Sequence, residues 1–273
     1  MLAVLAALPS RSPLLIGVAG ASVLCGRRSR WLWRFTSQVR RFRTATEGRI
    51  VLHYSPELDA EWNLPTLLQR CQEELDRLTD RFGSPHRGRA VVFLFASYKE
   101  IGKIFGAHYG GTALSSANAI VIANDSNIQE SMRHEFAHLF SARWSLHAPP
   151  LLSEGLSVWL QETTWGHPID TAARPLLGNR SFKLPLLLKP KFFFAEPQRH
   201  TCYVLAGSFT GFLIRRYGWQ QYRKLFRLCD GIRFRAKFEK CFGVTLEKAE
   251  WQWRNEITIM EVLNRRLRRN VRS

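Results

Sequence analysis

A chain of 273 residues, 45% hydrophobic with nine Trp and eighteen Phe, has apolar mass enough for a buried core and is not composed like a disordered polymer. Its formal charge of +18 sits at the two ends. Residues 1–49 carry nine Arg against the single acid Glu47, "NRRLRRNVRS" at 264–273 adds +5, and +5 remains for residues 50–263. That placement argues against a nucleic-acid partner, because a polynucleotide groove needs basic and stacking residues interleaved across the domain.

The first residues contain no acid before Glu47, and the apolar run "PLLIGVAGASVLC" from Pro13 to Cys25 is followed at once by "GRRSRWLWR". A secretory signal, a membrane anchor with a basic aromatic flank, and an Arg-rich transit peptide all fit this composition. The expectation is a membrane-associated or exported protein, with organelle targeting or a cytoplasmic location as the alternative, and an anionic membrane surface as a partner of the basic N-terminus. Residues 1–48 are accordingly set apart from the fold as a targeting, anchor or disordered segment. The domain is expected over 49–263, followed by a basic tail over 264–273.

Within the domain, "GRIVLHYSPE" alternates β-branched and aromatic residues and predicts a strand. In "LPTLLQRCQEELDRLTDRFG", Leu67, Leu68, Cys71, Leu75 and Leu78 recur at helical spacing, and Gly83 marks the stop. "RAVVFLFAS" predicts a second strand, "YKEIGKIFG" a short helix, Gly110–Gly111 a turn, and "NAIVIAND" a third strand. A helix over "IQESMRHEFAHLFSARW" follows, and after "HAPP" a second begins with Ser153 as its N-cap. Residues 166–200 read as irregular, with burial of the apolar "LLLKPKFFF" against neighbouring helices the preferred reading and a substrate cover or membrane-contacting loop the alternative. Helices return from Tyr203 onward. Strands first and helices after indicate an α+β domain.

The chemistry concentrates at His134-Glu135-x-x-His138. With 8 His and 16 Glu in 273 residues, chance yields roughly 0.014 matches to H-E-x-x-H, so an accident is improbable. Two histidines four apart share one helix face and can converge on one tetrahedral ion, and catalytic zinc takes three protein ligands. Glu154, on the first turn of the next helix, is the best third ligand, with Gly155 allowing close helix approach. Asp170, His147 and His167 are alternatives in expected loops. Glu135 does not bind the metal but is placed to take a proton from the attacking water and pass it to the leaving amine.

The five cysteines contain no C-x-x-C pair, which excludes a zinc ribbon or a thioredoxin-like motif. A disulfide among Cys202, Cys229 and Cys241 is open if the chain is exported.

The order strand, helix, strand, strand, "RHEFAHLF", "PPLLSEGLSVWLQE", "YVLAGSFTGFLIRRYG" and "FEKCFGVTLEKAEWQWR" resembles the peptidase MA-like gluzincin domain, distantly similar to thermolysin. The resemblance covers about residues 49–258. It implies a zincin-like α+β fold, in which a small N-terminal sheet with an edge strand is followed by the zinc-binding helices and a helical C-terminal part. It implies one Zn2+ held by His134, His138 and Glu154, and hydrolysis of a peptide or protein substrate by zinc-activated water with Glu135 as general base. It also implies that "AIVIAN" is the exposed edge strand that receives extended peptide. The oxyanion donor is Tyr203 or His200, Tyr203 being preferred because it begins the "AGSF" helix. The alternative is a non-catalytic zincin-fold protein that binds peptide or serves as a membrane-associated scaffold.

Overall fold

The computed structural model describes residues 28–58, 63–84, 88–106, 110–178, 182–229 and 232–270. The chain divides into two compact units, residues 1–140 and 141–273. The expected anchor or targeting run before residue 28, with Cys25, lies outside the described residues.

The first unit runs α1 (Arg28–Val39), β1 (Arg43–Glu47), β2 (Ile50–Tyr54), α2 (Leu64–Phe82), β3 (Ala90–Phe95), α3 (Tyr98–Phe105), β4 (Gly111–Leu114), β5 (Ala119–Ala123) and α4 (Ile128–Ser141). Its five strands form one mixed sheet in the order β1-β2-β3-β5-β4. The β2–β3 and β3–β5 pairs are parallel, while β1 and β4 join antiparallel at the two edges. The protein is therefore mixed α and β, as expected.

Every residue of β3 and β5 is buried. An unbroken apolar run without alternation marks a strand covered on both faces. On one face Val91, Phe93, Phe95, Ala119, Val121 and Ala123 pack with Phe35 of α1 and with Ile101 and Ile104 of α3. The Phe35 ring meets Phe93 edge-on at 5.0 Å. By the two-residue period of a strand, Leu52, Val92, Leu94, Ile120 and Ile122 point the other way. Helix α2 packs on the β1–β2 end, and α4 rests on α2 through Cys71 Sγ to Met132 Sδ at 3.3 Å and Phe82 to Phe140 at 5.2 Å. Helix α2 ends as its sequence dictates, at Gly83 in the left-handed region with φ 62.

Two expectations are corrected here. The strand "AIVIAN" is not an edge: β5 lies between β3 and β4, and the edge on that side is β4, beginning at Gly111 where a turn was expected. The fold does not start at residue 49, since α1 and β1 belong to the sheet unit and Phe35 is wholly buried. The last helix continues through Asn270 and so takes in most of the expected basic tail.

The second unit holds α5 (Pro150–Gln161), the hairpin β6 (Thr163–Thr164) and β7 (His167–Pro168), then α6 (Ile169–Ala173), α7 (Leu184–Leu187) and α8 (Pro190–Phe193). After these come α9 (Arg199–Tyr217), α10 (Trp219–Leu228), α11 (Phe234–Phe242) and α12 (Leu246–Asn270). Pro149, not Ser153, stands at the N-cap of α5, and Pro150 occupies the first helical position, where its missing N–H costs nothing. The expected irregular stretch 166–200 contains short helices, and its Leu184, Leu187 and Phe193 are buried. Helix α9 is buried at every position from Val204 to Ile214, as a central helix must be.

Close packing of α5 on α9 depends on glycine. A Cβ at Gly155 would fall 2.8 Å from the Ala206 carbonyl oxygen and 2.6 Å from Thr210 Oγ1. The close approach expected at Gly155 is thus made by α9. A polar chain runs through this apolar bundle: Trp253 Nε1 donates to Ser208 Oγ at 3.0 Å, and Ser208 donates to Asp170 Oδ1 at 2.6 Å. Arg215 then bridges Asp170 and Glu256 at 3.0 and 3.1 Å. Cys71, Cys202, Cys229 and Cys241 are free and buried, so no disulfide joins Cys202, Cys229 and Cys241. Among the described residues, no helix is long and apolar enough to cross a membrane.

Candidate metal centre

Helix α4 carries the H-E-x-x-H residues. Met132, Phe136, Ala137, Leu139 and Phe140 are buried, which fixes the rotation of the helix and leaves His134 and His138 half-buried. A further tie comes from the residue before His134: the Arg133 guanidinium stands 3.3 Å from the buried Glu74 carboxylate of α2, which also pairs with Arg77 at 2.5 Å. A buried carboxylate needs such partners. Beside Glu74, burial first and the carboxylate second push the Cys71 thiol up to about 12, so Cys71 stays protonated and is no candidate ligand or nucleophile.

The two imidazoles meet with Nε2 to Nε2 at 3.1 Å and ring planes 70° apart. Nitrogens held at zinc's ordinary 2.0–2.1 Å in tetrahedral geometry stand about 3.3 Å from each other, so this pair is already spaced as two ligands of one small cation. Among the described residues His134, His138 and Glu154 form the group that could hold a metal ion, one ligand atom of each lying within 4.8 Å of the others. Two imidazole nitrogens and one carboxylate oxygen are a donor set suited to zinc. The residues therefore fit the metal that the sequence implies.

Glu135 is 8% exposed, and its carboxylate lies against Gly111 of the edge strand β4. A Cβ added to Gly111 would lie 2.9 Å from Glu135 Oε1 and 2.9 Å from the Val121 carbonyl oxygen. Only glycine leaves the carboxylate room there. Just before it, Gly110 is covered by the Tyr98 ring, with Cε1 2.6 Å from a hypothetical Cβ. Burial and then the nearby Asp125 carboxylate push the Tyr98 phenol up to about 12, which keeps it a neutral hydrogen-bond donor. Sequence reasoning missed Gly111, Tyr98 and the four-residue strand β4, whose "GTAL" offers a single β-branched residue as signal.

Of the other residues singled out in the sequence, Asp170 is occupied by Ser208 and Arg215, and His147 and His167 are exposed on their loop and hairpin. None of the three joins the metal-holding group. Tyr203 lies on the first turns of α9, its ring 5.0 Å from Phe193 and 6.3 Å from Phe194, and one helical turn before Ala206, where α9 meets Gly155. His200 stacks on the exposed Trp165 ring at 3.8 Å and 12°, and burial lowers its pKa. Comparison with protein-family models and with curated proteins returned no match to this chain.

Proposed function

We propose that the chain is a zinc-dependent metallopeptidase with a zincin-like fold, in which His134, His138 and Glu154 hold one zinc ion and Glu135 is the general base. The observation that supports this reading is the His-His-Glu group, with one ligand atom of each residue within 4.8 Å of the others. Zinc, when bound, supplies Lewis acidity that lowers the pKa of water to about 7 and polarises a carbonyl.

The protein's own groups do the rest. Glu135 takes the proton of the attacking water and returns it to the leaving amine, so the carboxylate must be desolvated yet free to move a proton. Its burial beside Gly111 supports that role. Among the described residues, strand β4 pairs on one side only, with β5, and its other edge can hold an extended substrate by main-chain hydrogen bonds without reading its sequence. The edge-strand role inferred for "AIVIAN" thus passes to "GTAL". Tyr203 is the proposed donor to the developing oxyanion.

The test is metal analysis combined with peptide-library cleavage on the full chain and its Glu135→Gln variant. The expected result is one zinc per chain in both proteins, with cleavage lowered by about 10²–10⁴-fold in the variant. A wild type that binds zinc yet cleaves no peptide would instead identify the non-catalytic peptide-binding reading. A chain that binds no zinc defeats both.

A further inference from the structure

The first unit contains an 880 Å³ open cleft lined by α1, α3 and the turn after β2, to which neither the motif nor the proposed activity assigns a role. It belongs to the Phe35 face of the sheet, since Ile104 and Phe42 serve both the cleft and that core cluster. The volume suits a small-molecule site.

Its lining is chemically selective. Arg34, Arg41 and Lys103 bring three cations, and Ser37 and Ser55 bring hydroxyls. Two carboxylates oppose them, but Glu100 Oε2 accepts the Ala96 N–H at 3.2 Å and is engaged with its own helix start, while Glu57 is exposed on its turn. Arg34 gives one N–H to the Lys103 carbonyl at 3.1 Å, which ties α1 to α3 and leaves the remainder of its fork for a ligand. Two guanidiniums and an ammonium among hydroxyls suit the several acceptor oxygens of a phosphate better than a single carboxylate.

We propose that this cleft binds a phosphate-bearing anion, and that an anionic phospholipid headgroup is its carrier. Three observations favour the lipid. Trp33, in the cleft lining, is 68% exposed, and tryptophan is the side chain favoured at a membrane–water boundary. Helix α1 begins three residues after the apolar run Pro13–Cys25. Finally, Arg40 and Arg43, which flank the cleft residue Arg41 in sequence, are exposed, and basic side chains are drawn to anionic leaflets. The site does not depend on the peptidase reading.

The experiment sediments the full chain with phosphatidylcholine vesicles, with and without phosphatidic acid, and titrates it separately with glycerol phosphate. Two double variants are compared: Arg41→Gln with Lys103→Gln in the cleft, and Arg227→Gln with Lys240→Gln, exposed in the second unit, as a charge-matched control. Binding to phosphatidic acid vesicles should fall about 25-fold in the cleft variant, about fivefold for each charge, and should persist in the control. Glycerol phosphate should bind the wild type and the control but not the cleft variant. If only glycerol phosphate shows this dependence, the carrier is a soluble phosphate. Equal losses in both variants, or no loss in the cleft variant in either arm, overturn the proposal.

Discussion

Gly111 lies against the Glu135 carboxylate, so closely that a methyl group on Gly111 would stand 2.9 Å from Oε1. One residue of an edge strand thereby sets the position of the proposed base. The Gly111→Ala variant is expected to displace Glu135 while leaving both histidines intact. Cleavage should drop by about 10²-fold, the loss that a misplacement near 1 Å produces, with zinc content unchanged. Measured turnover and metal stoichiometry together check this; loss of zinc in Gly111→Ala would mean that the glycine serves α4 packing instead.

Glu154 is expected to contribute to metal binding alone. At a hundredfold excess over its dissociation constant, zinc should stabilise the wild type by about 2.7 kcal/mol, and chelation should remove both that increment and activity. In Glu154→Ala the thermal midpoint should respond to zinc only at much higher concentration. Melting curves along a zinc titration, with the ion restored after chelation, provide the measurement.

His53 pairs with Thr44 across β2 and β1, Nδ1 to Oγ1 at 2.9 Å, and stacks on Phe93 at 5.0 Å. Burial lowers its pKa below the ordinary 6.5. The unfolded chain therefore takes up this proton first as pH falls. The contribution to stability is complete above about pH 6.5 and is lost on acidification through the lower, folded pKa. Urea midpoints at about pH 7.5 and about pH 5.5 should fall less in His53→Gln than in the wild type.

Phe35→Ala should cost about 3–5 kcal/mol, the usual loss for emptying a buried phenylalanine site. Phe35 is 0% exposed and touches Phe93, Phe95 and Phe105 from a helix that the sequence reading had excluded from the domain. Chemical denaturation of the full chain measures the cost. An unchanged midpoint would return α1 to the status of an appendage.

Sequence by itself determined the local and the periodic. Helix α2 was legible because apolar residues recur at its own spacing and Gly83 ends it, and the candidate metal ligands were legible because His134 and His138 share one helix face while Glu154 lies early in the next helix. Tertiary structure decided what pairing decides. Whether "AIVIAN" is an edge or an inner strand depends on which strand lies beside it, and β4 is too short to announce itself by pattern. Likewise the basic composition of residues 28–47 concealed a helix and a strand, because Phe35 is wholly buried and Trp31, Leu32, Val39 and Phe42 pack against the sheet core between the exposed Arg34, Arg40, Arg41 and Arg43. Periodicity is written along the chain, whereas the neighbour of a strand and the cover of a sheet face are set by residues distant in sequence.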